Sequence, residues 1–226
     1  MLYVIAFIFI VILLYSSQWW VSHTLKRYST TQDHLQGTGG ELARHLLDRF
    51  DMQDVKVEID DRGDHYDPTD KAVRLTADNF NKKSLTAVAV AAHEVGHAIQ
   101  DNRNEPLLKL RSKLVSVAAV SEKIGSLAFI LMPVVVGITR VPHLGIIMIV
   151  LVVLSMFVAV IVHFVTLPVE WDASFTKALP ILEKGYVSDA ELVSVRKVLR
   201  AAALTYVAAS LAGVLNLWRW LALLRR

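Results

Sequence analysis

Cysteine is missing from all 226 residues, and its absence excludes disulfides, thiolate metal ligands and a cysteine nucleophile while leaving the redox compartment open. Internal repeats and low-complexity linkers are missing too, so the chain is no repeat array. Surplus charge is small, +3 in all. The basic residues gather beside apolar segments, which points toward anionic lipid headgroups and away from nucleic acid. What the chain has in plenty is apolar: 54% of its residues are hydrophobic, yet 20% are charged. That mixture is too apolar for an ordinary soluble domain and too charged for a bare bundle of membrane spans. Membrane segments plus one modest water-facing part satisfy both figures.

One stretch organises the rest. Ser84 to Gln100 reads SLTAVAVAAHEVGHAIQ, with no glycine or proline before Gly96, and the pattern predicts a helix. His93, Glu94 and His97 spell H-E-x-x-H within it. Four-residue spacing puts both imidazoles on one helix face, where a single Zn²⁺ can reach them. Glu94 stands beside them, placed for a water at the metal's open position rather than for the metal. Without a ligand, two histidines and an acid held among alanines and valines would be costly to bury.

Around that stretch the chain divides readily. Leu2 to Tyr15 is uninterruptedly apolar and can be extended to Val21, long enough for one bilayer crossing. No basic residue precedes it and no small-residue cleavage site follows, so it reads as a retained span. Thr38 and Glu41 form a capping box for a short amphipathic helix with Leu42, Leu46, Leu47 and Phe50 on its apolar face. Val55, Val57 and Ile59 alternate as a strand, and Ala72–Leu75 reads as a second one, placed as an edge for an extended peptide. After a polar break at 101–106, residues 107–123 read as an amphipathic helix at the membrane surface, running on into the apolar 124–138. A tight turn at 140–145 precedes the clearest span, Leu144 to Leu167. Residues 168–179 read as water-compatible, with a loop at 168–174. Ser188 and Glu191 mark another helix start, and Ala201 to Leu224 reads as the last span, rich in small residues.

A catalytic zinc site needs a third protein ligand and keeps one position for water. The loop after Pro168 offers Glu170 and Asp172, and the chain reaches it after crossing the membrane down and back, on the same face as the H-E-x-x-H helix. Glu170 is the choice for its reach and for the His/His/Glu set it completes. Asp172 then becomes an outer carboxylate, one that accepts a hydrogen bond from a ligand imidazole. His65 and Tyr66, between the two expected strands, are candidate donors to the oxyanion of a tetrahedral intermediate.

HEVGHAIQ, the DHYDP ahead of it, the LPVEWDAS after it and VLRAAALTYVAA near the end together resemble the YugP-type family of bacterial membrane zinc metallopeptidases, over nearly the whole chain. The resemblance implies a Zn²⁺ cofactor, His93, His97 and Glu170 as ligands, and Glu94 as catalytic acid/base. Metallopeptidases related to HtpX share the general layout but carry an Asp four residues beyond the Glu, where this chain has Ser174.

The expected fold is a mainly α membrane protein, with about four transmembrane helices around a small zincin-like α+β catalytic domain. Its parts would be a transmembrane helix at 1–21 and a zincin-like domain with the H-E-x-x-H helix at 22–106. An amphipathic segment and transmembrane hairpin at 107–167, a third-ligand loop and surface helix at 168–200, and a transmembrane helix with a basic end at 201–226 complete it. The expected activity is peptide hydrolysis by zinc-activated water, on a protein or peptide substrate in a bilayer setting, with no nucleic acid. Two other readings stand beside it: a zinc protease cutting within the membrane, and a non-catalytic membrane scaffold with structural zinc. The excess of Lys and Arg on the side of the H-E-x-x-H helix argues for a multi-pass protein of the bacterial cell membrane with its zinc domain in the cytoplasm. Substrate identity and oligomeric state are left open by the motifs.

Overall fold

A computed structural model describes residues 16–224, and the first expected span, 1–21, lies largely outside them. Helix α1 is described over residues 16–27. Helix α2 (Gly39–Arg49) begins at the expected capping box, with the Thr38 side chain accepting from the Glu41 amide and Glu41 reaching back to the Thr38 amide. Two orphan donors are satisfied reciprocally, which fixes the helix start.

The sheet has three strands where the alternation predicts two. Strand β1 (Lys56–Ile59) runs parallel to β3 (Ala72–Leu75), and β2 (His65–Asp67) pairs with β3 antiparallel, in the order β1-β3-β2. Ala72–Leu75 is therefore the central strand and not the edge expected for peptide pairing. The cause is β2: a three-residue strand with one apolar side chain carries no alternation, yet it covers the free side of β3 with Tyr66 opposite Val73. Val73 and Leu75 are wholly buried by this arrangement.

After the short α3 (Ala77–Asn81), Ser84 caps helix α4 (Leu85–Asn102), which carries H-E-x-x-H. Every residue from Leu85 to Gln100 is buried. A helix apolar all round must be enclosed on every side. Here Leu46 and Leu47 of α2, Val73 and Leu75 of the sheet, and Leu182 and Leu199 from later in the chain share one core with it. Alanine at 87, 89, 91 and 92, all fully buried, lets these neighbours approach closely.

Helix α5 (Pro106–Thr139) is a single helix of 34 residues with Pro133 inside, joining the surface and apolar segments as expected. Only Arg140, in a left-handed conformation, and Val141 separate it from α6 (Pro142–Trp171), so the expected turn at 140–145 is shorter. The loop expected at 168–174 is helical, as is the rest of the stretch to 179: α6 passes through Pro168, a π-helix covers Asp172–Ala178, and α7 (Leu179–Leu182) follows. Proline removes one donor, at a cost of ~3 kcal/mol in a helix interior. No glycine lies between Gly145 and Gly185 to end the helix, and the π-helix absorbs the irregularity with Leu179 N–H bonding to the Ser174 carbonyl. Helix α8 (Asp189–Leu224) runs without a break through residues 200 and 201, its start fixed by Glu191 accepting from the Ser188 amide at 2.8 Å.

The chain divides into two compact units. One includes Leu110–Thr166, where Ala118, Ala159 and Val162 pack together and the Ser155 side chain fills the space at Gly125. The other comprises Trp19–Lys109 and Leu167–Thr205 and contains the sheet, α2, α3, α4 and the π-helix. Among the described residues two helical stretches, Pro106–Thr139 and Pro142–Leu182, are long and apolar enough to cross a membrane, not four. The last expected span is helical to Leu224, but its side chains from residue 209 onward lie outside the described set.

Candidate metal centre

Helix α4 sets His93 and His97 one turn apart, with ring centroids 4.7 Å apart and planes at 77°. Glu170, in the last turn of α6, lies across from them. Its Oε2 is 3.3 Å from His93 Nε2 and 3.2 Å from His97 Nε2, and all three side chains are buried. The three ligand atoms fall within 4.8 Å of one another. Glu94, between the two histidines in sequence, is also buried.

Close approach of the π-helix to α4 makes this possible. A Cβ on Gly96 would stand 2.8 Å from the Ala173 carbonyl oxygen, so only glycine lets the two backbones meet here. The contact keeps Glu170 and Ser174, one turn apart, against the histidine face of α4.

Behind the histidines lies a chain of hydrogen bonds that motif reading missed. Gln100 Nε2 donates to the Val169 carbonyl at 3.0 Å and to Asp172 Oδ2 at 2.7 Å. Both are acceptors only, so the amide nitrogen must face them and the amide oxygen must face His97. That oxygen lies 2.8 Å from His97 Nδ1 and accepts its proton. A neutral His97 then presents a lone pair at Nε2, toward Glu170. Asp172 also pairs with Lys177, which reaches Glu105 at 3.0 Å with 7% of its side chain exposed. Asp172 thus touches Gln100 and Lys177, not a histidine as expected: one amide stands between it and His97. On the other side, His93 Nδ1 lies 2.9 Å from Ser174 Oγ.

Do these residues fit a zinc ion? Two atoms bound at 2.0–2.1 Å around a tetrahedral ion stand about 3.3 Å apart. The carboxylate oxygen meets that separation from both imidazoles. The His97 lone pair and an anionic oxygen meet in a buried place, with His93 Nε2 at similar distance, an arrangement that a cation among the three would answer. The donor set fits.

His65 and Tyr66 have other partners. His65 Nδ1 donates to the Gly63 carbonyl at 2.8 Å. The Tyr66 hydroxyl donates to Asp101 Oδ2 at 2.8 Å, and Lys71 pairs with the same carboxylate. Burial, reinforced by Asp101, pushes the Tyr66 phenol well above its ordinary pKa and keeps it a donor. Of the outer residues, Gln100 is legible as a polar side chain three positions after His97 on an otherwise apolar helix. Ser174, Lys177 and Gly96 give no such signal.

Comparison with known proteins agrees with this geometry. A family model described as "putative neutral zinc metallopeptidase" matches residues 3–225. The "Putative membrane protease YugP" of Bacillus subtilis (strain 168) is 37% identical over 221 residues, covering 95% of this chain and 94% of that protein. No solved structure matches the chain. With nearly its whole length matched, the chain belongs to the family described as putative neutral zinc metallopeptidases.

Proposed function

We propose that the protein is a membrane-bound zinc endopeptidase. The observation that carries the reading is the convergence of His93 Nε2, His97 Nε2 and Glu170 Oε2 on one buried point, with the buried Glu94 following His93 on the same helix. Zinc held by those three atoms would supply Lewis acidity toward a scissile carbonyl and toward a water. Glu94 takes the proton of the attacking water and returns it to the departing amine, the work of a general base and then a general acid. Among the described residues three side chains could ligate the ion, which would leave a fourth position open and favours a catalytic over a structural ion. Helix α4 is enclosed by protein and is not among the stretches able to cross a membrane, which favours cleavage outside the bilayer over cleavage within it. The Tyr66–Asp101 bond ties β2 to the end of α4, a role in architecture more than at the oxyanion.

Replacing Glu94 by Gln tests the reading. The ligands stay, so zinc content should be unchanged, while peptide hydrolysis should fall at least 10²–10⁴-fold. Wild-type turnover by that variant would sink the assignment.

The membrane setting rests on the two apolar helices and on the relative's description as a membrane protease. In our reading the protein crosses the membrane several times and its zinc unit faces the cytoplasm, where Arg103, Lys109, Arg111 and Lys113 would lie. Because the chain has no cysteine, an introduced Lys184→Cys reports its side cleanly. An impermeant thiol reagent should label it only after the cells are opened. Labelling in intact cells reverses the orientation.

A further inference from the structure

Ser174 is wholly buried and makes two hydrogen bonds: 2.9 Å to His93 Nδ1 and 3.1 Å to the carbonyl oxygen of Leu199 on α8. A serine hydroxyl has one proton to give. The Leu199 carbonyl can only accept, so that proton goes there. Toward His93 the oxygen can then only accept, and His93 must carry its proton on Nδ1. Its Nε2 is left bare, facing Glu170.

We propose that Ser174 is the positioning residue for His93, with the Leu199 carbonyl setting the direction of the hydrogen bond. The pair selects the one neutral tautomer in which His93 can bind a metal through Nε2. Gln100 does the same for His97 by an unrelated route, through an amide whose nitrogen is held by Val169 and Asp172. Both imidazoles are therefore oriented ahead of the ion's arrival, by neutral groups. Loss of the Leu199 bond would free the hydroxyl to donate to Nδ1 instead, and the imidazole proton would move to Nε2, where it blocks ligation. Metal retention is in this way tied to the seating of α8 against the π-helix.

This inference rests on the metallopeptidase reading, and the test keeps the two apart. Nitrogen-detected NMR of the full chain, stripped of metal in detergent about two pH units above the ordinary imidazole pKa of ~6.5, reports the His93 tautomer directly. A proton on Nδ1 with Nε2 bare is expected; a proton on Nε2 overturns the proposal. In parallel, Ser174→Ala should weaken zinc binding roughly 10–100-fold in chelator competition. The thermal midpoint of its metal-free form should stay close to wild type, and Ser174→Thr should restore the affinity. A folded Ser174→Ala variant with wild-type zinc affinity also overturns it. If that variant does not fold, the wild-type tautomer decides. Failure of the wild-type chain to bind zinc would instead overturn the metallopeptidase reading, leaving the tautomer measurement intact.

Discussion

Helices α4 and α5 follow one another across three residues, and both are largely apolar, yet they are built for different surroundings. Helix α4 has 18 residues, with every one from Leu85 to Gln100 buried. Helix α5 has 34, and Ile124, Leu127, Ile130, Val134 and Ile138 are all largely exposed. The difference lies in side-chain size and in what accompanies the apolar residues. Helix α4 uses alanine and glycine, which let other backbones come close, and its Thr86, Gln100 and Asp101 side chains bond to protein groups. Helix α5 uses leucine, isoleucine and valine, whose bulk suits contact with lipid in our reading. An apolar helix is thus a statement about its neighbours, not by itself about a membrane.

Glycine provides the sharpest way to break that comparison. Helix α4 has Gly96 and α5 has Gly125 and Gly137: a Cβ on Gly96 meets a backbone carbonyl at 2.8 Å and one on Gly125 meets the Ser155 side chain, whereas one on Gly137, in the apolar end of α5, meets nothing within 4 Å. Gly96→Ala should therefore lower stability by about 1–3 kcal/mol through overpacking, and should release zinc because the π-helix that carries Ser174, and with it the adjoining last turn of α6 that carries Glu170, is pushed away. Thermal unfolding together with metal content measures both. A variant with wild-type values would mean that the approach of the two backbones carries no such strain.

Next in size is Asp172→Asn. It removes the charge that joins Gln100 to Lys177 but leaves every ligand atom, so zinc affinity should fall by about 10-fold and at most 100-fold. Competition with a chelator reads the change. The smallest effect belongs to α5: Gly137→Ala should leave the thermal midpoint unchanged or raise it slightly, by up to ~1 kcal/mol of helix propensity. A marked destabilisation there would show that α5 is packed as tightly as α4, and the contrast would fail.

Much of the site is legible in the amino-acid sequence. H-E-x-x-H on an alanine-rich helix gives two candidate ligands and a candidate base by spacing alone, and Glu170 follows as the candidate third ligand from the need for one on the same side. The capping box at Thr38, and at Ser188 the Glu191 carboxylate that accepts from both the Ser188 amide and hydroxyl, locate two helix starts because their hydrogen bonds are local. Features that depend on distant partners are not legible. Strand β2 exists because β3 has a free side, not because His65-Tyr66-Asp67 has a strand pattern. The π-helix reads as a loop because Pro168 and two acids resemble one, while the contacts that keep it helical come from α4. Ser174 stands out in the sequence as a departure from the Asp of related metallopeptidases, but its place beside the site emerges only when 168–178 is read as helix, for it then shares a face with Glu170 four residues before it.

The central claim is that His93, His97 and Glu170 hold one zinc ion. Zinc stoichiometry of the purified full chain, compared with Glu170→Ala and Asp172→Asn, tests it most directly. The account predicts about one ion per wild-type chain, near-complete loss in Glu170→Ala and retention in Asp172→Asn at saturating zinc. A full site in Glu170→Ala, with an empty one in Asp172→Asn, would contradict it.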